Sequence, residues 1–270
     1  SIYARKGEIV GIAGLVGAGK TELCKALFGA IPLKTGEIYL NGKKLSIQQP
    51  YMAVSQGLAL VPEERRKEGV LIDEPVHTNL TLPSIKSFVK RGFIDFIKEY
   101  QVSRKMISDL NIVTPSEFQK VAFLSGGNQQ KVVVGKWLIA DAEVYIFDEP
   151  TSGLDPLMES VFQTEVRRLK KEGKAVLLSS HILSEVENLA DRVAIIKEGN
   201  VIDIGSIADM RHLSQSKVTV SVSGDLANLN QLKGIHDLVI TGQTARFRLE
   251  DDATAAVMKF LSDQGIRSIS

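Results

Sequence analysis

Two short stretches of this chain carry the residue types and spacing that chemistry needs. The first is GLVGAGKT, Gly14 to Thr21, which has the P-loop (Walker A) spacing of glycines followed by Lys and Thr. Glycines let successive backbone N–H groups turn inward around phosphate oxygens, and a helix beginning there adds its positive end. Lys20 would reach the β and γ phosphates and the Thr21 hydroxyl would coordinate magnesium, with Gly14, Gly17, Ala18, Gly19 and Glu22 completing the expected cradle. The plainer alternative is a glycine-rich turn between strand and helix. The second stretch is EVYIFDEP, an apolar run that ends in Asp148 and Glu149. There Asp148 would hold the magnesium and Glu149 would polarise an attacking water. Its alternative is a pair of acidic residues opening a turn before Pro150.

Such groups work only if the surrounding elements place them together. Short runs rich in Val, Ile and Leu alternate with segments of helical period: EIVGIAG before TELCKALFGA, then GLALV, EVYIF before PLMESVFQTEVRRLKKEG, KAVLLSS before HILSEVENLA, and RVAIIK. The alternation predicts an α/β fold, a mostly parallel sheet flanked by helices. The acidic pair then lies at a strand's carboxyl end, where such sheets bind ligands. The helix from Pro156 is expected to have Asp155 at its cap, Leu157, Val161, Val166 and Leu169 facing inward, and Gly173 at its end.

Residues 76–137 break the alternation, with FIDFIKEYQVSRKMISDLNI and NQQKVVVGKWLIA reading as amphipathic helices of an insertion. After Gly205 the segment KVTVSVS alternates strictly, DLANLNQLKG reads as helix, DLVI and ARFRL as strands, and DATAAVMKFLSDQG as a helix closed by Gly265. The expected organisation is a nucleotide-binding core of residues 1–75 and 138–205, a helical subdomain of 76–137, and a small accessory α+β domain of 206–270.

Composition sets the outer limits. The 270 residues are 44% apolar and 24% charged, which suits a globular chain and excludes a disordered, collagenous or coiled-coil one. The 33 Lys and Arg nearly cancel the 32 Asp and Glu, leaving no overall basic field to attract nucleic acid or an anionic membrane. Cys24 is the single cysteine, so no disulfide forms within the chain, and its place in an apolar helix reads as buried filler in a reducing compartment. No uncharged apolar run reaches the roughly 18 residues of a membrane-spanning helix, and SIYARKGEIV lacks a signal peptide's pattern. The chain begins at Ser1 rather than Met, as a processed or excised piece would.

A third motif, LSGGNQQKV from Leu124 to Val132, lies at an expected helix start within the insertion and resembles the signature motif of ATP-binding cassette (ABC) proteins. The resemblance implies a P-loop NTPase fold with a RecA-like sheet, and ATP and Mg2+ as cofactors. It also implies a head-to-tail dimer, in which Ser125, Gly126 and Gly127 touch the γ phosphate held by the phosphate loop of a second cassette. SGLDP puts Asp155 in the family's D-loop position, and LLSSH puts His181 in that of the switch histidine. On this reading Lys20, Glu149 and His181 are catalytic, and hydrolysis is in-line attack of water on the γ phosphate. Separate transmembrane permease subunits complete the expected assembly, which places the chain at the cytoplasmic face of a membrane.

The resemblance is not uniform. At the position of the Q-loop glutamine stands Glu63, within VPEERRKEGV, a third candidate magnesium ligand beside Thr21 and Asp148. Its extra negative charge beside a triphosphate would oppose binding unless the cation offsets it. That loop, GAGKTEL and GGNQQKV resemble the second cassette of bacterial sugar importer ATPases, whereas DEPTSGLDPLMESVF, SSHILSEVENLADRVAIIKEGNVI and the tail resemble exporter-type cassettes. A chimera joined between about Trp137 and Met158 is therefore expected, with natural divergence as the alternative. Only 19 residues precede Lys20, so the family's antiparallel strand region bearing an adenine-stacking aromatic is not evident, and Tyr3 reads as a strand residue packed on the sheet. These departures favour a second function class, a nucleotide-binding module that hydrolyses weakly or not at all. A third, a cassette acting on DNA or ribosomes, is disfavoured by near-neutral charge and the importer-like signature.

Overall fold

A computed structural model describes residues 1–152, 156–207, 216–249 and 253–269. The first strand, β1 (Ile9–Ala13), is buried along its whole length, as an apolar run covered on both faces must be. It runs through Gly14 to Gly19 into α1 (Lys20–Phe28), which ends at the left-handed Gly29. Next come a short antiparallel hairpin, β2 (Ile38–Leu40) with β3 (Lys43–Leu45), then α2 (Pro50–Ser55) and β4 (Leu58–Val61).

The insertion holds α3 (Val76–Thr81), a two-residue pairing of β5 (Val89–Lys90) with β6 (Phe93–Ile94), α4 (Phe96–Asp109) and α5 (Gly126–Ala140). The chain returns through β7 (Val144–Asp148), α6 (Pro156–Lys171), β8 (Ala175–Ser180), α7 (Leu183–Leu189), β9 (Arg192–Lys197) and β10 (Asn200–Ser206).

Six strands form one sheet in the order β10-β9-β1-β8-β7-β4, with parallel pairing from β9 to β4. The register sets Ala13 beside Ser180 and Asp148 beside Ser179. The carboxyl ends of β1, β8 and β7 therefore open on one edge, and the phosphate loop and the acidic pair leave the sheet on either side of β8.

The elements differ from expectation in places that have physical causes. The helix expected over 93–112 begins only at Phe96, because residues 93–94 pair with 89–90. It is amphipathic as expected, with Met106 and Ile107 packed against the apolar core, but it also buries Glu99 and Ser103 while Phe96 and Ile97 are exposed. Glu99 is accommodated by the Thr81 hydroxyl, which donates to Oε1 at 2.7 Å, and by His77 Nδ1 at 3.4 Å. By contrast, α5 is not amphipathic: Gln129, Gln130, Val132, Val133, Val134, Gly135 and Trp137 are all buried. It also runs unbroken through the boundary drawn at 137 and 138.

Across the expected junction the two parts share one apolar cluster. Trp137 meets Phe28 edge-on at 5.6 Å, and Phe147 of β7 meets Phe162 of α6 edge-on at 5.0 Å. In α6, Phe162, Val166 and Leu169 are buried and Val161 half-buried, and left-handed Gly173 follows its end. The expected cap Asp155 and the side chain of Leu157 lie outside the described residues.

The chain divides into two compact units, Ser1–Gly205 and Ser206–Ser270. The second contains β11 (Ser216–Val222), β12 (Ile235–Thr241), β13 (Thr244–Leu249), α8 (Thr254–Asp263) and β14 (Ile266–Ile269). These strands form an antiparallel sheet in the order β12-β13-β11-β14, with a core of its own around Val220, Leu229, Phe247 and Leu261. DLANLNQLKG forms only a 3-10 turn, Ala227–Gln231, and β14 was not anticipated.

Candidate active site

The strand-to-helix turn at Gly14–Gly19 has glycine where its geometry demands it. A Cβ on Gly14 would lie 2.4 Å from the Ile196 carbonyl oxygen of β9, and Gly19 has φ +100° at the N-cap of α1. No side chain caps α1, so the first-turn amides of Lys20, Thr21 and Glu22 have no intrahelical partner and stand available to an anion. Ala18 is buried with Ile12 and Ile196, while Leu15 and Val16 stand out in solvent. The Glu22 side chain is exposed, so its part in the cradle is its backbone amide. Gly17 has φ +79° with open space around it.

Lys20 is buried, and its Nζ donates to the Gly14 carbonyl at 2.7 Å and the Leu15 carbonyl at 3.1 Å. It also lies 3.3 Å from Glu149 Oε1. Glu149 follows directly on β7 with φ +46°, in the left-handed region that side chains with a Cβ rarely occupy. That backbone is held by its own N–H, which donates to Ser179 Oγ at 3.1 Å. Its other carboxylate oxygen, Oε2, accepts from the His181 backbone N–H at 3.2 Å and lies 2.7 Å from His181 Nδ1. Lys20, Glu149 and His181, expected as the catalytic set, thus form a contiguous cluster.

Asp148 sits behind them, wholly buried. Its Oδ1 accepts from Thr21 Oγ1 at 3.2 Å and from Ser179 Oγ at 2.8 Å. Its Oδ2 is buried with no hydrogen-bond partner among the described residues. Burial holds the Asp148 carboxyl above its ordinary range, partly offset by those two hydroxyls. A buried carboxylate oxygen without a donor, next to a hydroxyl that is itself a hard oxygen ligand, fits a magnesium ion.

Glu63 is exposed, and no hydrogen bond joins its side chain to Thr21 or Asp148 among the described residues. Desolvation raises its pKa first, and the negative charges of Asp148 and Glu149 raise it further. Among the described residues there is no group of three or more His, Cys, Asp or Glu placed to hold a metal ion.

The signature residues lie elsewhere in the unit. Ser125 is the N-cap of α5, its Oγ accepting from the Asn128 side chain at 2.9 Å, and Gly126 and Gly127 open the helix. Gly126 leaves room for the Arg65 guanidinium, whose Nη2 would be 2.7 Å from a Cβ there. Within the chain these residues make no contact with Lys20, Thr21, Asp148 or Glu149 among the bonds described. The following glutamines are structural: Gln129 caps the Val121 and Leu124 carbonyls, and Gln130 donates to the Pro150 carbonyl at 3.3 Å. Asp155 lies outside the described residues.

Cys24 is fully buried, and burial raises its thiol pKa, in keeping with an inert packing residue. Tyr3 is a correction. It precedes β1 in irregular chain, half-exposed, with the guanidinium of Arg192 at 4.3 Å and that of Arg5 at 5.0 Å from its ring centre. Sequence reasoning missed Ser179, which binds both carboxylate residues, and also Ser180, Thr151 and Glu185. The SSH triplet was the available signal for the two serines. Nothing in sequence spacing pointed to Glu185.

A glycine-rich loop leading from β1 into α1, with Asp148 and Glu149 at the end of β7 and His181 after β8 on the same edge of a parallel sheet, is the arrangement of a P-loop nucleotide-binding fold. The family model described as "ABC transporter" matches residues 1–152, and the chain belongs to that family. The putative ribose/galactose/methyl galactoside import ATP-binding protein 3 of Burkholderia cenocepacia (strain HI2424) is 42% identical over 225 residues, 83% of this chain and 43% of that protein. The ribose import ATP-binding protein of Bacillus subtilis (strain 168) is 42% identical over 201 residues, 74% of this chain and 41% of that protein. The chain thus spans about two fifths of the length of these relatives. A match over 225 of 270 residues extends past the expected junction between about Trp137 and Met158, so likeness to importers is not confined to the first part of the chain.

Among solved structures, an ATP-binding subunit of an ABC transporter aligns with TM-score 0.64 and 27% identity over 78% of this chain and 84% of that one. A dimeric cassette in a post-hydrolysis state with ADP and phosphate aligns with TM-score 0.66 and 20% identity over 76% and 88%, a likeness of fold. No helix among the described residues is long and apolar enough to cross a membrane.

Proposed function

We propose that this chain is a nucleotide-binding cassette that hydrolyses ATP with magnesium, the motor part of a membrane transporter. The observation that carries the reading is the Lys20–Glu149–His181 cluster beside buried Asp148 and Thr21. The amides of the phosphate loop and of the first turn of α1 bind the phosphates, and Lys20 Nζ adds positive charge as negative charge builds on the transferred group. Glu149 Oε accepts the proton of the attacking water, and His181 Nδ1 orients that carboxylate. Thr21 Oγ1 and Asp148 would hold Mg2+, which supplies charge neutralisation at the phosphates when bound.

Ser125, Gly126 and Gly127 act in a second cassette's site, in keeping with the lack of any described bond between them and the phosphate loop of their own chain. The dimeric cassette reported above supports assembly as a dimer for a related fold. Relatives named for ribose and galactoside import support a sugar importer, with separate permease subunits and a place at the cytoplasmic membrane face. Exposed Phe93, Phe96 and Ile97 give the helical insertion an uncovered apolar surface suited to such a partner.

A second reading, a nucleotide-binding module with little turnover, draws on Glu63 beside two other carboxylates. Steady-state ATPase of the purified chain decides. The motor reading expects magnesium-dependent turnover, abolished in Lys20→Ala and reduced by about 10²- to 10⁴-fold in Glu149→Gln. Absence of turnover in the parent at saturating ATP would select the passive module.

A further inference from the structure

Glu149 and His181 leave the sheet on different loops, one after β7 and one after β8. Beyond the paired ends Asp148 and Ser179, the bonds described between these loops all involve side chains. The outermost tie runs through a residue on neither loop. Glu185, in the first turn of α7, accepts the Thr151 hydroxyl at 2.8 Å and the Ser180 hydroxyl at 2.8 Å on the same oxygen, Oε2. Thr151 lies two residues after Glu149, and Ser180 immediately precedes His181. Ser180 Oγ also accepts the Ile182 N–H at 3.0 Å, which shapes the turn around the histidine.

One carboxylate oxygen has two lone pairs and, when ionised, binds hydroxyls more strongly than a neutral acceptor does. The platform beneath it is firm. The next residue, Val186, is fully buried, and α7 packs so closely on β1 that a Cβ on Gly11 would fall 1.9 Å from Val186 Cγ1.

We propose that Glu185 is a positioning residue for hydrolysis, fixing the spacing of Glu149 and His181 by holding Thr151 and Ser180 on one oxygen. The inference rests on the hydrolytic reading above and deepens it. Glu185 touches no reacting atom, so its loss acts on the geometry of the pair, and a displacement of about 1 Å at such a site costs on the order of 10²-fold in rate.

The test has two arms. In steady-state kinetics Glu185→Ala lowers kcat by about 10- to 100-fold, with KM for ATP within about 2-fold of the parent. Glu185→Gln, which keeps an oxygen acceptor, restores kcat to within about 3-fold. Adding Thr151→Val to Glu185→Ala costs little more, because both cut one tie. Parental kcat in Glu185→Ala, or a loss that Glu185→Gln fails to restore, overturns the inference.

The second arm needs no turnover. The His181 backbone amide donates to Glu149, so its hydrogen exchange, followed by NMR, reports the pair directly. It is expected to rise by about 10-fold in Glu185→Ala while exchange along β1 is unchanged. Unaltered exchange at His181 overturns the inference even in a chain without ATPase. A parent that binds magnesium-ATP without hydrolysing it defeats the hydrolytic reading, and the exchange result still decides whether Glu185 holds the pair.

Discussion

Asp148 is fully buried, and one of its oxygens has no donor among the described residues. The sequence made this residue legible by type and place, after an apolar strand and before Glu149, as it did Lys20 and Thr21. What it did not reveal was the cost of that burial. A carboxyl whose folded pKa is raised by burial lowers stability at pH above that pKa, and the penalty fades as pH falls through the folded value towards the unfolded one. Metal binding runs the other way, because magnesium and proton compete for the same oxygen. The rise in Tm produced by magnesium should therefore shrink as pH falls from about 7 to about 5, measured by thermal denaturation. Asp148→Asn should remove most of that rise at every pH without lowering the Tm of the metal-free protein. A magnesium effect independent of pH would argue against Asp148 as ligand.

Elements place these residues to within an ångström or so, and their own packing is the constraint. Gly11 lies in the middle of β1, far in sequence from α7, yet its missing side chain is what lets Val186 seat on the sheet. Gly11→Ala forces a buried β-branched residue to move and is expected to destabilise the unit by about 1–3 kcal/mol, read as a shift in the urea midpoint. An unchanged midpoint would show that α7 is free to lift. The periodicity of 93–112 and of NQQKVVVGKWLIA gave helices at nearly the right places, since local hydrogen bonding and spacing set them. It gave α5 a solvent face that the fold does not leave, because burial depends on what the neighbouring elements offer. Thr81 and His77 provide Glu99 with polar partners, and Leu80 of α3 with Met106 of α4 close on Gly135, in the buried middle of α5.

At the scale of the whole molecule, the described residues form two units with separate cores. Every residue of the candidate site falls in Ser1–Gly205, so a chain ending at Gly205 is expected to keep magnesium-ATP binding, and the fragment 206–270 to fold alone. A fluorescent ATP analogue titrated against the shortened chain, and circular dichroism of the fragment, check the two halves of this expectation. Loss of binding in a folded 1–205 chain would give the second unit a part in the nucleotide site. The near balance of 33 basic and 32 acidic residues already argued against broad nucleic-acid attraction, and belongs to composition alone.

Local chemistry was readable along the chain: glycine spacing that frees backbone amides, a lysine and threonine one step beyond, carboxylates ending an apolar strand. Each depends on residues a few positions apart, whose geometry is set by φ, ψ and short-range hydrogen bonds. The pairing of Glu149 with His181, the Ser179 hydroxyl shared by Asp148 and Glu149, and the Glu185 tie join residues about thirty positions apart. Only the parallel register of β7 on β8, and the seating of α7 in the gap above Gly11, brings those atoms within bonding distance. Hydrogen bonds fall off over tenths of an ångström, and no spacing along a sequence fixes a distance that fine.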